Sequence, residues 1–205
     1  SASINNVMGG IVEVDSGMLT LNGGGTSSGL FSNVAGTTLQ FGGGNHLLDA
    51  TSSVIGAGTN SISAGSVSFG GSYNVTGGTR ISAGSAGFSG PITAVGALTV
   101  SAGTATFDSG NGVSVSSVAL SGGTLTGGST INVAGAFNWT GGTLGGSGIL
   151  NANGAATFNG SSRTLSGRTL NLNSSANTWS AGNINTGQGS LLNIGGGMTF
   201  DNTFD

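Results

Sequence analysis

The sequence predicts an all-β protein that folds as a single parallel β-helix of about ten coils, each with 19–20 residues and three short strands. Three observations carry this prediction. One motif returns every 19 to 21 residues over most of the chain. Apolar residues inside each repeat alternate with polar ones, which is the strand period. Gly accounts for 44 of the 205 residues, a density that would destabilise helices.

The repeated motif is an apolar residue followed by Ser or Thr, a small residue and Gly. Its lead residues, including the degraded copy at Phe158, are Ile62, Ile81, Val100, Leu120, Trp139, Phe158 and Trp179. Successive leads are 19, 19, 20, 19, 19 and 21 residues apart. One repeat therefore predicts one coil, with the leads stacked in an interior column. Val14, Val34 and Ile194 are expected to continue the column less regularly, with an excursion loop near residues 42–60 and a less regular end over 185–205.

Two further alternating stretches complete the three strands of each coil. The first contains the pairs Leu19/Leu21, Leu39/Phe41, Val67/Phe69, Ala86/Phe88 and Ala105/Phe107, and predicts a stack of Phe41, Phe69, Phe88 and Phe107. Arg163 interrupts this phase, so a register slip to Leu165 is expected. The second contains Tyr73/Val75, Ile92/Ala94, Val113/Val115, Ile131/Val133, Leu150/Ala152 and Leu170/Leu172.

Gly and Asn recur where the strands are expected to turn. Gly after each lead suits a corner with positive φ. The tracts 23–25 and 42–44 are all Gly but lack the Lys and the strand-to-helix context of a phosphate loop, so they predict turns. Asn recurs in phase at Asn132, Asn151 and Asn171 and at Asn153, Asn173 and Asn193. These columns fit either hydrogen-bonded amide ladders or the ordinary preference of Asn for turns.

Composition narrows the functional classes. Gly, Ser, Thr and Asn fill 119 positions, whereas charged residues make up 4% and Lys is absent. With a net charge of −3, no basic surface is available to neutralise phosphates, so we expect no nucleic-acid partner. No apolar run is long enough to span a membrane. The chain has no Cys and does not start with Met, and we expect it to be part of a longer protein.

Candidate catalytic groups are few. Glu13 and Asp15 flank Val14 and are expected to project outward together, which suits a glycosidase pair or a cation, or simply a solvated strand. His46, the only His, lies three residues before Asp49. A Ser/His/Asp site is conceivable there, but no Ser lies in a nucleophile elbow, and an excursion loop is the plainer interpretation.

The remaining candidates have structural interpretations as well. Arg80, Arg163 and Arg168 do not cluster with acids in the repeat phase, and a solubilising or coil-ending role is expected for Arg163 and Arg168. Asp108 is isolated, and Asp201 and Asp205 lie in an irregular tail. Trp139 and Trp179 would suit sugar stacking, but their place in the lead column favours core packing. We therefore expect no enzyme activity, no cofactor and no bound metal.

The repeat style resembles that of filamentous-haemagglutinin-like and autotransporter-like bacterial surface proteins over roughly residues 10 to 200. The period of 19, the Gly-rich strands and the segment 137–148, which reads FNWTGGTLGGSG, carry the resemblance. It implies a right-handed parallel β-helix in an exported protein, located outside the cell or on the bacterial surface. It also implies a role in adhesion or surface display.

Three functions stay open at this point. The first is a structural and adhesive rod segment, whose partners would be neighbouring domains of the same chain and a host-cell, matrix or surface-glycan ligand. The second is carbohydrate binding or processing on one face of the β-helix. The third is ice binding by a flat Thr array, indicated by Thr104-Ala105-Thr106 and Thr124-Leu125-Thr126 but weakened by Ser66/Ser68, Ser85/Gly87 and Thr143/Gly145 at matching positions.

Overall fold

The computed structural model describes residues 1–200, which form a parallel β-solenoid with 29 strands and no helix. The chain visits three faces in a fixed order, and every strand pairs in parallel with strands one coil before or after it. Asp201 and Asp205 lie outside the described residues.

The first face is an uninterrupted ten-stranded sheet. Its strands are β2 (Met18–Leu21), β5 (Thr38–Phe41), β8 (Thr59–Ile62), β11 (Gly78–Ile81), β14 (Ala97–Val100), β17 (Ser117–Leu120), β20 (Phe137–Trp139), β23 (Ala156–Phe158), β26 (Asn177–Trp179) and β29 (Met198–Phe200). Ten strands at about 4.8 Å span about 43 Å.

The second face is a nine-stranded sheet. Its strands are β3 (Gly25–Ser27), β6 (Asn45–Leu48), β9 (Ser66–Phe69), β12 (Ser85–Phe88), β15 (Thr104–Phe107), β18 (Thr124–Thr126), β21 (Gly142–Gly145), β24 (Arg163–Ser166) and β27 (Ile184–Gly187).

The third face is divided into two sheets of five strands. The first sheet holds β1 (Ile11–Val14), β4 (Leu30–Asn33), β7 (Ser53–Gly56), β10 (Ser72–Val75) and β13 (Ile92–Ala94). The second holds β16 (Val113–Val115), β19 (Ile131–Val133), β22 (Ile149–Ala152), β25 (Thr169–Leu172) and β28 (Leu191–Ile194). The register shifts between β10 and β13, and β13 does not pair with β16.

The predicted lead column forms on the inner side of the ten-stranded sheet. Its members pair in the order Ile62, Ile81, Val100, Leu120, Trp139, Phe158 and Trp179. All except Trp179 are fully buried. A four-residue strand cannot bury its own apolar side, so this shared column is what makes each coil stable.

The phase predicted for both ends of the column is wrong. Leu21 and Phe41 precede Ile62 in the register, and Phe200 follows Trp179. Val14, Val34 and Ile194 lie elsewhere: Val14 and Ile194 end strands of the third face, and Val34 follows β4. The first coils carry similar apolar pairs on two different strands, so the sequence pattern admits a one-strand phase error.

Two consequences of that error are also corrected. Residues 42–60 are not an excursion loop, because β6, β7 and the first half of β8 lie there in register with the neighbouring coils. Phe41 belongs to the lead column, and Leu48 is the residue that pairs with Phe69. Phe41 nevertheless contacts Phe69 across the interior, with ring centroids 5.8 Å apart. The stack Phe69, Phe88 and Phe107 forms as predicted, with centroids 4.8 and 4.6 Å apart.

A column of Gly makes the corner between the ten-stranded and nine-stranded sheets. These residues have φ between +63° and +77°, and in chain order they are Gly24, Gly44, Gly65, Gly84, Gly103, Gly123, Gly142 and Gly182. A Cβ added to Gly103 would lie 2.3 Å from the carbonyl oxygen of Gly84. At Gly103 the coils therefore approach too closely for any side chain. The Gly tracts make turns as expected, except that Gly25 begins β3. The slip at Arg163 is also confirmed, since Leu165 pairs with Leu144.

Candidate functional site

The two acidic residues considered as a pair lie on the surface of the first coil. Glu13 is exposed in β1, and Asp15 is exposed just after the strand ends. Among residues 1–200, no group of three or more His, Cys, Asp or Glu side chains is placed to hold a metal ion. The solvated-strand interpretation therefore accounts for both carboxylates.

His46 and Asp49 face different surroundings. His46 is buried, its ring packs edge-on against Phe41 at 5.0 Å, and its Nε2 lies 3.0 Å from the Gly43 carbonyl. Asp49 closes a turn instead: its carboxylate accepts hydrogen bonds from the Ser28 hydroxyl and from the amide and hydroxyl of Thr51. The Ser28 bond, followed by those from Thr51, lowers the pKa of Asp49. The structure thus places His46 in the core and Asp49 in a turn, without a catalytic arrangement.

Arg163 and Arg168 are fully buried, which contradicts the solubilising role expected for them. Arg168 donates from Nε to Gly145 O and from Nη2 to Gly127 O, both at 2.6 Å, with longer bonds to Ile149 O and Ser129 O. The acceptors lie on the two preceding coils. Burial lowers the pKa of Arg168 to about 10, an effect that Asp108 partly opposes, so the guanidinium stays cationic at neutral pH.

Arg163 ties three coils together in the same way at another corner. Its Nη1 donates to Trp139 O and Asn159 O at 3.0 Å, and its Nη2 donates to Ala181 O at 2.6 Å. The guanidinium carbon lies 5.7 Å from the ring centroids of both Phe158 and Trp179. Burial lowers the pKa of this group as well. Both Arg residues are structural cross-links between turns.

The remaining charged and aromatic candidates also occupy structural places. Arg80 is exposed on the ten-stranded sheet, and Asp108 accepts a 2.6 Å hydrogen bond from the amide of Gly128. Trp139 is fully buried, and Trp179 is partly buried with its Nε1 donating to Gly182 O at 2.8 Å. The interior placement predicted for both Trp residues is confirmed.

An amide ladder runs along the outer side of β19, β22, β25 and β28. The Nδ2 atoms of Asn151, Asn171 and Asn193 donate to the Oδ1 of the Asn one coil earlier, at 2.8, 2.7 and 2.7 Å. The predicted column of Asn132, Asn151 and Asn171 is therefore a hydrogen-bonded ladder. Asn193 was expected beside Asn173 and instead forms the fourth rung here, because the step from Asn171 is longer than one repeat.

A second, shorter ladder joins Asn173 to Asn153: the Nδ2 of Asn173 donates to the Oδ1 of Asn153 at 2.8 Å. It lies at the corner after β22 and β25. Both ladders are on the outer side of the solenoid and add hydrogen bonds between coils, with Asn132, Asn151 and Asn171 partly buried.

A surface groove lies where the third face is interrupted and turns toward the ten-stranded sheet. Its volume is about 400 Å³, and its lining includes Ala94, Gly96, Ser114, Ser116, Asn132 and Ala134. The groove exists because β13 and β16 do not pair and because the side chains at this corner are small. None of its lining residues is charged, so the groove offers no side chain for acid–base chemistry.

The outer side of the nine-stranded sheet carries hydroxyl groups in register. Thr104, Thr124, Thr143 and Thr164 occupy successive coils in one column. In the neighbouring column only Thr106 and Thr126 lie on successive coils, because Gly87 precedes them and Gly145 follows them, and Thr26 is separated from them by Leu47, Ser68 and Gly87. The place of Thr164 in the column of Thr104 was not predicted, because Arg163 disturbs the repeat phase there. Adjacent Thr columns therefore extend over only a few coils. This favours a rod segment or carbohydrate binding over ice binding.

Comparisons with protein-family models, with curated proteins and with solved structures find no match for this chain. In residues 1–200, no helix has the length and apolarity needed to cross a bilayer.

Proposed function

We propose that this chain is a non-catalytic rod segment of a bacterial surface or secreted protein, serving adhesion or display. The observation that carries the proposal is the ten-stranded sheet with its continuous column of stacked apolar residues, which is buried from Leu21 to Phe158. Neighbouring coils are held together by backbone pairing and stacked apolar residues, and the buried side chains of Arg163 and Arg168 add cross-links among a few of them. Such an assembly keeps its two ends at a fixed separation, which is the property a spacer requires.

The resemblance to filamentous-haemagglutinin-like and autotransporter-like repeats supports a location outside the cell or on its surface. The scarcity of charge supports the same role, because general acid–base catalysis needs at least two tuned groups within reach of one substrate. The candidate pairs do not supply them: Glu13 and Asp15 are solvated, and His46 and Asp49 face different surroundings. The partners of such a rod would be neighbouring domains and a host-cell, matrix or glycan ligand.

The length of the rod can be tested with spin labels on two residues of one outward column, Thr20 and Thr178. These residues are linked by successive register pairs across nine strands of the ten-stranded sheet. Eight spacings predict a separation of about 38 Å. Deleting residues 42–62 removes one whole coil and keeps the repeat phase, so the distance is expected to shorten by about 5 Å. An unchanged or very broad distance distribution would contradict a rigid rod.

The absence of catalysis has its own test. We expect the variant Glu13→Gln/Asp15→Asn and the variant His46→Leu/Asp49→Asn to leave attachment or display by the parent protein intact. Glycan cleavage or ester hydrolysis by the purified chain, lost in either double variant, would overturn the non-catalytic proposal.

A further inference from the structure

The groove beside the third face contains a hydrogen-bond donor that the protein itself does not use. In the amide ladder each Nδ2 donates toward the preceding coil, and Asn132 is the first rung. Ser114 pairs with Asn132 one coil earlier. Within residues 1–200, the structure gives the Asn132 Nδ2 no acceptor. Asn132 lines the groove, and its Nδ2 lies near Gly112, where an added Cβ would be 3.5 Å from it.

The ladder strengthens this free donor. Three consecutive amide–amide hydrogen bonds align the side-chain dipoles of Asn132, Asn151, Asn171 and Asn193. Hydrogen bonds in such a chain polarise one another. The N–H end of the aligned chain is at Asn132, which lines the groove, so the groove favours an oxygen acceptor on a ligand.

The rest of the lining defines the chemical class of that ligand. Ser114 and Ser116 add hydroxyl groups that both donate and accept, while Ala94 and Ala134 present methyl groups. No charged residue lines the groove, so an ionic ligand gains no counter-charge. A volume of about 400 Å³ lies within the range of small-molecule sites, about 300–1,000 Å³.

We propose that this groove binds a segment of a neutral glycan, with a sugar oxygen accepting from Asn132 Nδ2 and sugar C–H groups lying on Ala94 and Ala134. The proposal rests on the adhesive role proposed above and gives it a ligand class and a location. Sugar rings combine hydroxyl groups with apolar C–H surface, which is the mixture that the lining offers.

The test uses the whole chain and a panel of neutral and acidic oligosaccharides, with binding followed by titration and by NMR of the Asn side-chain amides. At least one neutral oligosaccharide is expected to shift the Asn132 amide signals. Its affinity should change less than about twofold between low and high salt, because screening acts on charged ligands. Binding restricted to acidic glycans, or no shift with any neutral one, would overturn the proposal.

Two Ala→Leu variants in one coil test whether the ligand binds in the groove or on the surface beside it. Ala134→Leu fills the groove and is expected to weaken binding by about tenfold or more. Ala136→Leu is the matched control, because Ala136 is exposed but outside the groove, and its affinity should stay within about twofold of the wild type. Equal affinities of the two variants would overturn the proposal.

A third variant tests the donor itself and does not depend on filling the groove. Asn132→Asp keeps an acceptor for Asn151 but removes the free N–H, so binding is expected to fall by about tenfold. Unchanged binding by this variant would contradict the assigned donor. If glycan binding fails while the Thr20–Thr178 distance shortens as expected after coil deletion, only the ligand assignment is wrong and the rod proposal stands.

Discussion

Replacing Arg168 by Met is expected to destabilise the solenoid substantially, although it removes a charge from the interior. Met fills most of the same volume, so no large cavity is left, and the cost of burying a cation disappears. What is left behind is a set of carbonyl groups that had shared this one donor. The sign of the effect therefore depends on how many of them lose their only partner.

The distances decide the magnitude. The two short bonds, to Gly145 O and Gly127 O at 2.6 Å, carry most of the interaction, whereas those to Ile149 O and Ser129 O are 3.3 and 3.4 Å long. A buried carbonyl without a donor costs about 1–3 kcal/mol. Gly127 O keeps a second donor, the amide of Gly148 at 3.2 Å. Losing the Arg168 bond to this carbonyl should therefore cost free energy near the low end of that range. We expect a net loss of about 2–4 kcal/mol in the free energy of unfolding.

Urea unfolding measures this loss, with Arg80→Met as the matched control. Arg80 is exposed on the ten-stranded sheet, so its replacement should change stability by under about 0.5 kcal/mol. Because coils contact only their neighbours, amide hydrogen exchange should also show the loss concentrated around residues 127–149. Arg168→Lys should not restore the lost stability, since a single ammonium group cannot form the several hydrogen bonds that the planar guanidinium makes. Equal stabilities of the Arg168→Met and Arg80→Met variants would refute this reasoning.

Trp139→Ala should cost about 3–5 kcal/mol and Asn138→Ala on the opposite side of the strand under about 1 kcal/mol; equal urea midpoints would contradict the face assignment. Gly103→Ala places a Cβ at positive φ against the preceding coil and should cost more than about 1–2 kcal/mol, whereas Gly87→Ala, with no atom within 4 Å of the new Cβ, should be neutral or slightly stabilising. Burial raises the pKa of Tyr73 well above its ordinary value, so the folded state keeps the phenol proton that the unfolded chain releases near pH 10, and stability should fall as pH rises above about 10. Phenolate absorbance, which only this Tyr can give, should appear together with unfolding; its appearance in the folded protein would contradict the burial.

The middle of the chain was predictable because three local signals coincide there. From Ile62 to Trp179 each lead is apolar, a turn rich in Gly and Ser follows it, and the interval stays near one repeat. Near the N-terminus the signals conflict, since Leu19/Leu21 and Leu39/Phe41 have the alternation expected of either strand. Only pairing with the next coil resolves the phase, and pairing is a property of the assembled stack.

The buried Arg residues could not be predicted from residue type, because Arg is almost always exposed unless it is paired. One signal was present: Arg163 falls at the position that Gly142 holds in the preceding coil, beside the interior. The groove was hidden for a different reason. It arises from the missing pairing between β13 and β16, and Ile92/Ala94 and Val113/Val115 look like ordinary members of their series.

The interruption of the third face also governs how the rod responds to mechanical load. Two faces carry hydrogen-bond ladders along the described length, but the ladder of the third face stops after its fifth strand and starts again with the sixth. Bending stiffness therefore differs with direction, and elastic compliance is concentrated halfway along the rod on one side. A transverse force would bend the two halves about this point, because the continuous ten-stranded sheet resists extension on its own side. The molecule should therefore bend more easily in one plane than in others.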